Sequence, residues 1–135
     1  MAYDLSMEFI LSAPPKRVME LLTDAMLIRK WSGDDAVLEK KPGGRFEMFD
    51  GWVTGEVRNA SEFELAYSWQ PGDWPANAKA SEVHYLLKED EAGTKVILKH
   101  TGFPDEEQMN SHRSGWADFF FTPMEDYIMV TEPQP

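Results

Sequence analysis

The apolar positions at the start of the chain predict a strand followed by a helix. Residues 7–11 form a short apolar run, which two prolines follow. Proline can open a helix because its missing N–H would be unbonded in the first turn in any case. After Pro15, four apolar residues share one helical face: Val18, Leu21, Leu22 and Ala25. The helical pattern then fades over residues 27–31.

From Gly43 onward the apolar period changes to two, which is typical of strands. The dipeptide Asp50-Gly51 favours a two-residue type I′ turn, so the flanking strands are predicted to form a hairpin. In this register three pairs lie opposite each other: Met48 with Val53, Phe46 with Gly55, and Arg45 with Glu56. The apolar pairs and the charged pair agree, which supports the register. Phe49 and Trp52 flank the turn on the outer face, where they indicate a partner surface or a local aromatic contact.

Alternating apolar residues predict three further strands, over residues 63–70, 82–88 and 94–101. The segment 71–80 between the first two is rich in proline and glycine and is predicted to be a loop. Pairing Glu89 with Thr94 in the last hairpin places six side chains on one face: Val83, Tyr85, Leu87, Val96, Leu98 and His100. One face of this antiparallel sheet is therefore apolar and needs a cover.

The last part of the chain, residues 105–130, is predicted to be a long helix that supplies this cover. Asp105 and Gln108 have the spacing of a capping box at its start. Aromatic and apolar residues follow with helical spacing: Trp116, Phe119, Phe120, Met124 and Tyr127. Pro123 interrupts the helix and predicts a kink between Phe119 and Met124. The residues after Val130 are expected to fray.

Several segments, taken in order, are similar to one known family. They are MEFILSAPPKRVMELLTD (7–24), GGRFEMFDGWVTGEV (43–57), the strand ending in Trp69, KVILKHTGF (95–103) and HRSGWADFF (112–120). Together they resemble the activator of heat-shock protein 90 ATPase homologue family, within the START-like (polyketide cyclase and lipid-transport) superfamily. The resemblance implies an α+β helix-grip fold. In that fold a curved antiparallel sheet of six or seven strands wraps around the long C-terminal helix and encloses an apolar cavity, with two short helices after the first strand.

Composition narrows the range of partners. The chain has 135 residues, 13 of them Lys or Arg and 24 Asp or Glu, which gives a formal net charge of −11. This length predicts one domain over residues 1–135. Nucleic acid and anionic membranes attract basic surfaces, so we expect neither as a partner. Without cysteine there is no disulfide or thiolate nucleophile. No secretory pattern or membrane-length apolar run is seen, so we expect a cytoplasmic protein, monomeric or dimeric.

The inward faces of the predicted elements define a candidate ligand site. Eleven residues are expected to line or border one pocket: Trp31, Phe46, Met48, Tyr67, Trp69, Trp74, Tyr85, Leu98, His100, Trp116 and Phe120. Gly55 places no side chain beneath the helix and is expected to leave space there. Trp74 either anchors its loop or covers the pocket. His100 is either a neutral core histidine, bonded to a carbonyl or to Tyr85, or the polar group that orients a ligand.

Three functions remain open from the sequence. The leading hypothesis is binding of an apolar or aromatic small molecule between sheet and helix, without catalysis. The second, implied by the family resemblance, is a chaperone-modulating protein-interaction domain. The third is a cyclase- or aromatase-like enzyme in which His100 or Tyr85 moves a proton. The three histidines lack metal-ligand spacing and no glycine-rich nucleotide loop is present, so we predict no metal and no cofactor. With binding as the leading hypothesis, no catalytic residue is assigned.

Overall fold

The structure is a computed structural model that describes residues 3–75 and 77–132. Within these residues the chain forms seven strands: β1 (Tyr3–Leu11), β2 (Val37–Leu38), β3 (Arg45–Met48), β4 (Val53–Ala60), β5 (Glu64–Pro71), β6 (Ser81–Asp90) and β7 (Gly93–Phe103). Two short helices, α1 (Pro15–Thr23) and α2 (Ala25–Ser32), follow β1. The C-terminal helix comprises α3 (Glu106–Gly115), a π-helical segment (Trp116–Phe121) and α4 (Thr122–Thr131).

The strands form one antiparallel sheet in the order β1-β7-β6-β5-β4-β3-β2. Its inner face packs against the C-terminal helix. For example, the ring centroid of Tyr85 on β6 lies 6.0 Å from that of Trp116 in the helix. The predicted α+β helix-grip fold, with two short helices after the first strand, is confirmed. The first strand begins at Tyr3, earlier than predicted, and the two-residue strand β2 was not predicted.

Both predicted hairpin registers are confirmed. Met48 pairs with Val53 and Glu89 pairs with Thr94. Asp50 and Gly51 adopt φ values of 58° and 85°, as a type I′ turn requires. Arg45 lies opposite Glu56 as expected. The guanidinium of Arg45, however, pairs with Glu47 on its own strand, because residues two apart share one face of a sheet.

The helical region after β1 divides into two helices at Asp24. Pro15 occupies the first turn of α1, and the Asp24 carboxylate accepts hydrogen bonds from the backbone N–H groups of Met26 and Leu27. This cap starts a second helix where the apolar pattern alone fades. Gly33, with φ of 83°, ends α2 in the left-handed conformation that glycine favours.

The start of the C-terminal helix has half of the predicted capping box. The Asp105 carboxylate accepts from the backbone N–H of Gln108 at 2.8 Å. The side chain of Gln108 does not return to Asp105 but accepts a hydrogen bond from the indole N–H of Trp74 at 3.0 Å. The second half of the box is thus used to hold the loop after β5.

A π-helical turn stands where the sequence predicts a kink at Pro123. The backbone N–H of Thr122 bonds to the carbonyl of Ala117, five residues earlier, and Pro123 follows at once. The wider turn shifts the buried face by one residue. Phe121 therefore packs on Phe9 with ring centroids 4.2 Å apart, whereas Phe119 is 68% exposed. Phe119, which helical spacing groups with Trp116 and Phe120, thus lies outside the core. The buried residue near the helix end is Ile128, while Tyr127 is half-buried.

The expected space at Gly55 is filled. A Cβ atom there would lie 1.9 Å from the backbone oxygen of Ser68, so glycine permits close approach of β5 and leaves no opening. Beside it, Phe46 stacks on Tyr67 with a centroid distance of 3.7 Å. At the chain end α4 stops at Thr131, and the predicted fraying at Pro133 and Pro135 concerns positions outside the described residues.

Candidate functional site

An apolar cavity of about 210 Å³ lies between the β3–β4 turn, the end of β5 and the C-terminal helix. We call it the aromatic cavity because six of its nine lining residues are Phe or Trp. The lining residues are Phe49, Trp52, Trp69, Ser111, His112, Gly115, Trp116, Phe119 and Phe120. Aromatic walls with few polar groups are typical of small-molecule sites.

The β3–β4 turn supplies two of these rings. Phe49 precedes the Asp50-Gly51 pair and has φ of 54°, in the left-handed region that side chains rarely adopt. Its ring contacts Trp52 edge-on at 6.2 Å, and the ring of Trp52 lies nearly parallel to that of His112 at 6.3 Å. Phe49 and Trp52 therefore line the cavity, and their predicted position on the outer face is corrected.

The helix opens the cavity at Gly115. A Cβ atom on this residue would meet only the Phe119 ring within 4 Å, at 3.9 Å, so the space beside it is open. Glycine in a helix costs about 1 kcal/mol relative to alanine. The backbone of Gly115 is ordinary right-handed helix, so its conformation does not require glycine. What the missing side chain provides at this position is volume.

His112 joins the two walls through a pair of hydrogen bonds. Its Nε2 accepts from the indole N–H of Trp69 at 3.1 Å, and its Nδ1 donates to the carbonyl of Gln108 at 3.0 Å. Burial lowers the pKa of His112, although the bond to Gln108 and the nearby carboxylate of Asp73 oppose this effect. The imidazole is therefore held neutral with both nitrogens engaged.

His100 lies behind the cavity in a second network. The indole N–H of Trp116 donates to its Nδ1 at 3.2 Å, and its Nε2 donates to the hydroxyl of Ser81 at 2.8 Å. Ser81 in turn donates to the carbonyl of Trp69 at 2.7 Å. Burial, and then the proximity of His112, lower the pKa of His100 to about 2. His100 is a neutral core histidine, and its partners are Ser81 and Trp116 rather than a carbonyl or Tyr85.

The hydroxyl of Tyr85 is bonded instead to that of Tyr67, within the core. Burial raises the pKa of Tyr67, and burial also raises the pKa of Tyr85 well above its ordinary value. Both phenols therefore stay protonated at neutral pH. Neither residue lines the aromatic cavity, and the pair has no ligand-facing proton to transfer.

The eleven predicted site residues divide into three groups. Trp69, Trp116 and Phe120 line the aromatic cavity. Two tryptophans border it: Trp74 is buried and bonded to Gln108, as expected for a loop anchor, and Trp31 contacts Phe120 edge-on at 4.9 Å. The other six pack in the fully buried core: Phe46, Met48, Tyr67, Tyr85, Leu98 and His100.

The predicted ligand site does not include six of the lining residues: Phe49, Trp52, Ser111, His112, Gly115 and Phe119. The available signal was the pair of aromatic residues flanking the Asp50-Gly51 turn. A glycine within a predicted aromatic helix was a second signal, since it costs stability there. Among residues 3–75 and 77–132, no group of three or more acidic or histidine side chains is arranged to hold a metal ion. In the same part of the chain, none of the helices is sufficiently long and apolar for a membrane crossing.

Curated relatives share the sequence pattern. Residues 12–128 match the model of the family described as "Activator of Hsp90 ATPase homolog 1-like protein". The mouse activator of 90 kDa heat shock protein ATPase homolog 1 is 29% identical over 109 residues, which cover 79% of this chain and 31% of the relative. The human protein of that name is 28% identical over the same length. The chain thus spans about a third of the length of these relatives.

Solved structures share the fold. A Mesorhizobium loti protein superposes with a TM-score of 0.82 at 26% identity, covering 96% of this chain and 99% of that one. An HSP90 activator from Plasmodium falciparum gives 0.79 at 24% identity over 100% and 99% of the two chains. The Aha1 dimer of Colwellia psychrerythraea gives 0.79 at 18% identity, with 96% and 98% covered. With the family model matching residues 12–128, the chain belongs to the Activator of Hsp90 ATPase homolog 1-like family.

Proposed function

We propose that the protein binds an apolar or aromatic small molecule in the aromatic cavity. The observation that carries this proposal is the opening at Gly115. Glycine destabilises the helix at this position, and the space left by its missing side chain lies among aromatic rings. Packing would be better served by a side chain there, because filled cores are more stable than cavities. A site that admits a ligand accounts for the glycine.

The size of the cavity suits a ligand of one or two rings. An engineered apolar cavity of roughly 150 Å³ is enough to hold benzene. The volume here is about 210 Å³, and Phe119, one of the lining residues, is 68% exposed to solvent. A small molecule can therefore reach the cavity without opening the core.

The polar groups around the cavity favour binding over catalysis. His112 has both ring nitrogens engaged by Trp69 and Gln108. His100 is fully buried and bonded to Ser81 and Trp116. A general base needs a nitrogen within hydrogen-bond reach of the substrate, and neither histidine offers one. The cyclase-like hypothesis therefore has less support than binding.

The proposal is tested with 2-naphthol as the probe, by isothermal titration of the purified protein. Gly115→Leu fills the cavity and is expected to abolish binding. The matched control is Ser114→Leu, which adds the same side chain to an exposed position on the same helix outside the lining. Saturable binding that survives Gly115→Leu, in a variant that still unfolds cooperatively, would place the ligand elsewhere, and no binding to the wild-type protein would refute the proposal.

A second candidate function is modulation of a chaperone ATPase. It is favoured by the family match and by the names of the curated relatives, of which this chain spans about a third. The exposed rings of Trp52 and Phe119 would be suited to a protein partner. This proposal includes a cytoplasmic location, as expected from the sequence.

The test of this second function is the ATPase rate of a purified heat-shock protein 90 with and without the chain. Stimulation that is lost in Trp52→Ala and kept in Ser114→Ala would support it. An unchanged rate at a saturating concentration of the chain would count against it.

A further inference from the structure

We propose that the aromatic cavity selects a small organic cation whose charge is spread over methyl groups, of the quaternary ammonium class. This inference rests on the proposed binding function, and it adds the sign and type of the ligand's charge. It follows from the ring surfaces of the wall, from the hydrogen bonds of the indoles, and from the charge of the protein.

Three ring pairs of the wall are set at steep angles, whereas Trp52 and His112 are nearly parallel, at 24°. Trp116 and Phe120 are inclined at 62° with centroids 4.8 Å apart. Trp69 and His112 are inclined at 76°, and Phe49 and Trp52 at 68°. A ligand in the cavity would have aromatic rings on several sides. Aromatic faces carry the negative part of the ring quadrupole, and Trp is the strongest partner of cations.

Two of the three indole N–H groups in the wall are not available to a ligand, whereas that of Trp52, at the exposed rim, has no hydrogen-bond partner among the described residues. That of Trp69 is donated to His112, and that of Trp116 to His100. These rings therefore offer the cavity mainly carbon surface. A hydrogen-bond acceptor would find an indole donor only at the rim, on Trp52, whereas a methylated cation needs none because it binds through the ring faces.

The charge around the cavity is negative, which favours a cationic ligand. Among the described residues that line the cavity, none is Lys or Arg. The chain carries a net charge of −11, and the carboxylate of Asp73 is close enough to His112 to act on it electrostatically. Acidic groups outside an uncharged wall attract a cation without forming an ion pair. A carboxylate ligand would meet repulsion and find no cationic partner in the wall.

Besides the indole N–H of Trp52, one polar group is left in the wall, the hydroxyl of Ser111. It lies at an exposed position, and no hydrogen bond from it is found within the described part of the chain. A neutral aromatic ligand could gain one hydrogen bond from it. That single contact at the solvent-exposed rim is worth less than several ring faces, so the cation is favoured.

The experiment compares two ligands of equal shape, phenyltrimethylammonium and tert-butylbenzene, in which a charged nitrogen replaces a carbon. Titration of the wild-type protein at low salt is expected to show about tenfold tighter binding of the cation. Trp52→Leu keeps the apolar rim but removes its ring. We expect Trp52→Leu to weaken binding of the cation about fivefold and binding of tert-butylbenzene less than about twofold. Trp52→Phe should restore most of the difference in affinity between the two ligands.

The outcomes separate the two proposals. Equal or weaker binding of the cation, with tert-butylbenzene or 2-naphthol still bound, would overturn the charge selectivity and leave the binding function standing. Binding of neither isostere, with 2-naphthol bound, would also overturn the selectivity. If no probe binds, 2-naphthol included, the binding function itself fails. A preference for the cation that Trp52→Leu leaves unchanged would overturn the role of the rings.

Discussion

The indole N–H of Trp69 donates to Nε2 of His112 across 3.1 Å and so ties the end of β5 to α3. Through Nδ1 the same imidazole is bonded to the carbonyl of Gln108, and the side chain of Gln108 holds Trp74. Three elements are thereby fixed around one wall of the aromatic cavity: the sheet, the helix and the loop after β5. Pre-organisation of this kind reduces the ordering that a ligand must impose when it binds.

The first prediction concerns acid stability. Above pH 6.5 His100 is neutral in the folded and the unfolded chain, so it has no effect on stability. Below that pH the unfolded chain binds a proton that the folded chain refuses, since burial lowers the pKa of His100 to about 2. The free energy of unfolding should fall by up to about 1.4 kcal/mol per pH unit from this group as the pH drops. His112, whose pKa is also lowered, should add to the loss.

The measurement is urea unfolding at several pH values between 7 and 4. His100→Gln keeps one donor and one acceptor but does not titrate, so its stability should fall less steeply than that of the wild-type protein. Identical slopes for the two proteins would show that His100 is not held neutral by the fold.

The second prediction concerns Gly115. Gly115→Ala should raise the free energy of unfolding by about 0.5–1 kcal/mol, because alanine favours helix and the new Cβ meets only the Phe119 ring at 3.9 Å. The same methyl group should weaken 2-naphthol binding by occupying part of the cavity. Ser114→Ala is the control, since it raises helix propensity outside the lining. A Gly115→Ala variant that gains no stability would indicate that the space is not open.

The third prediction tests the π-helical register. Phe121 is buried against Phe9, so Phe121→Ala should cost about 3–5 kcal/mol. Phe119→Ala should cost less than about 1 kcal/mol, since that ring is 68% exposed. Thermal or urea unfolding of the two variants gives the comparison directly. A regular α-helix through this segment would reverse or equalise the two losses.

The fourth prediction concerns the contact between Ser12, in the connection from β1 to α1, and Glu125 of α4. The carboxylate of Glu125 accepts from the backbone N–H of Ser12 at 2.9 Å and from its hydroxyl at 2.6 Å. Glu125→Gln should lower stability by about 1–3 kcal/mol, because charge-assisted bonds are lost at a half-buried position. Asp126→Asn removes a neighbouring exposed charge and should have little effect. If urea unfolding showed equal losses of stability for Glu125→Gln and Asp126→Asn, the effect would come from net charge and not from the hydrogen bonds to Ser12.

Sequence patterns determined the sheet more reliably than the site. The register of β3 and β4 followed from apolar alternation and from the turn preference of Asp50-Gly51, both of which are local. The outward rotation of Phe119 depends on a π-helical turn, and helical periodicity does not encode one inserted residue.

The sequence predicts an opening at Gly55, whereas the structure has it at Gly115, and this difference also depends on tertiary structure. Neither Gly55 nor Gly115 has a backbone conformation that requires glycine. Only the atoms around each Cβ position distinguish the two residues. At Gly55 the backbone of Ser68 fills the space, whereas at Gly115 the space is open. Such tertiary neighbours are not contained in the local sequence. The aromatic character of the site was predictable from composition, but its position was not.

The most direct test of the central claim is to locate the bound probe by NMR. Backbone amide shifts are followed during titration of the isotopically labelled protein with 2-naphthol. The account predicts that the largest shifts surround the aromatic cavity, at Ser111, Gly115 and Trp52 and in the indole N–H signal of Trp69, and that they vanish in Gly115→Leu. Largest shifts around the separate groove that is lined by Phe9, Phe121 and Glu125, or on the outer face of the sheet, would contradict it.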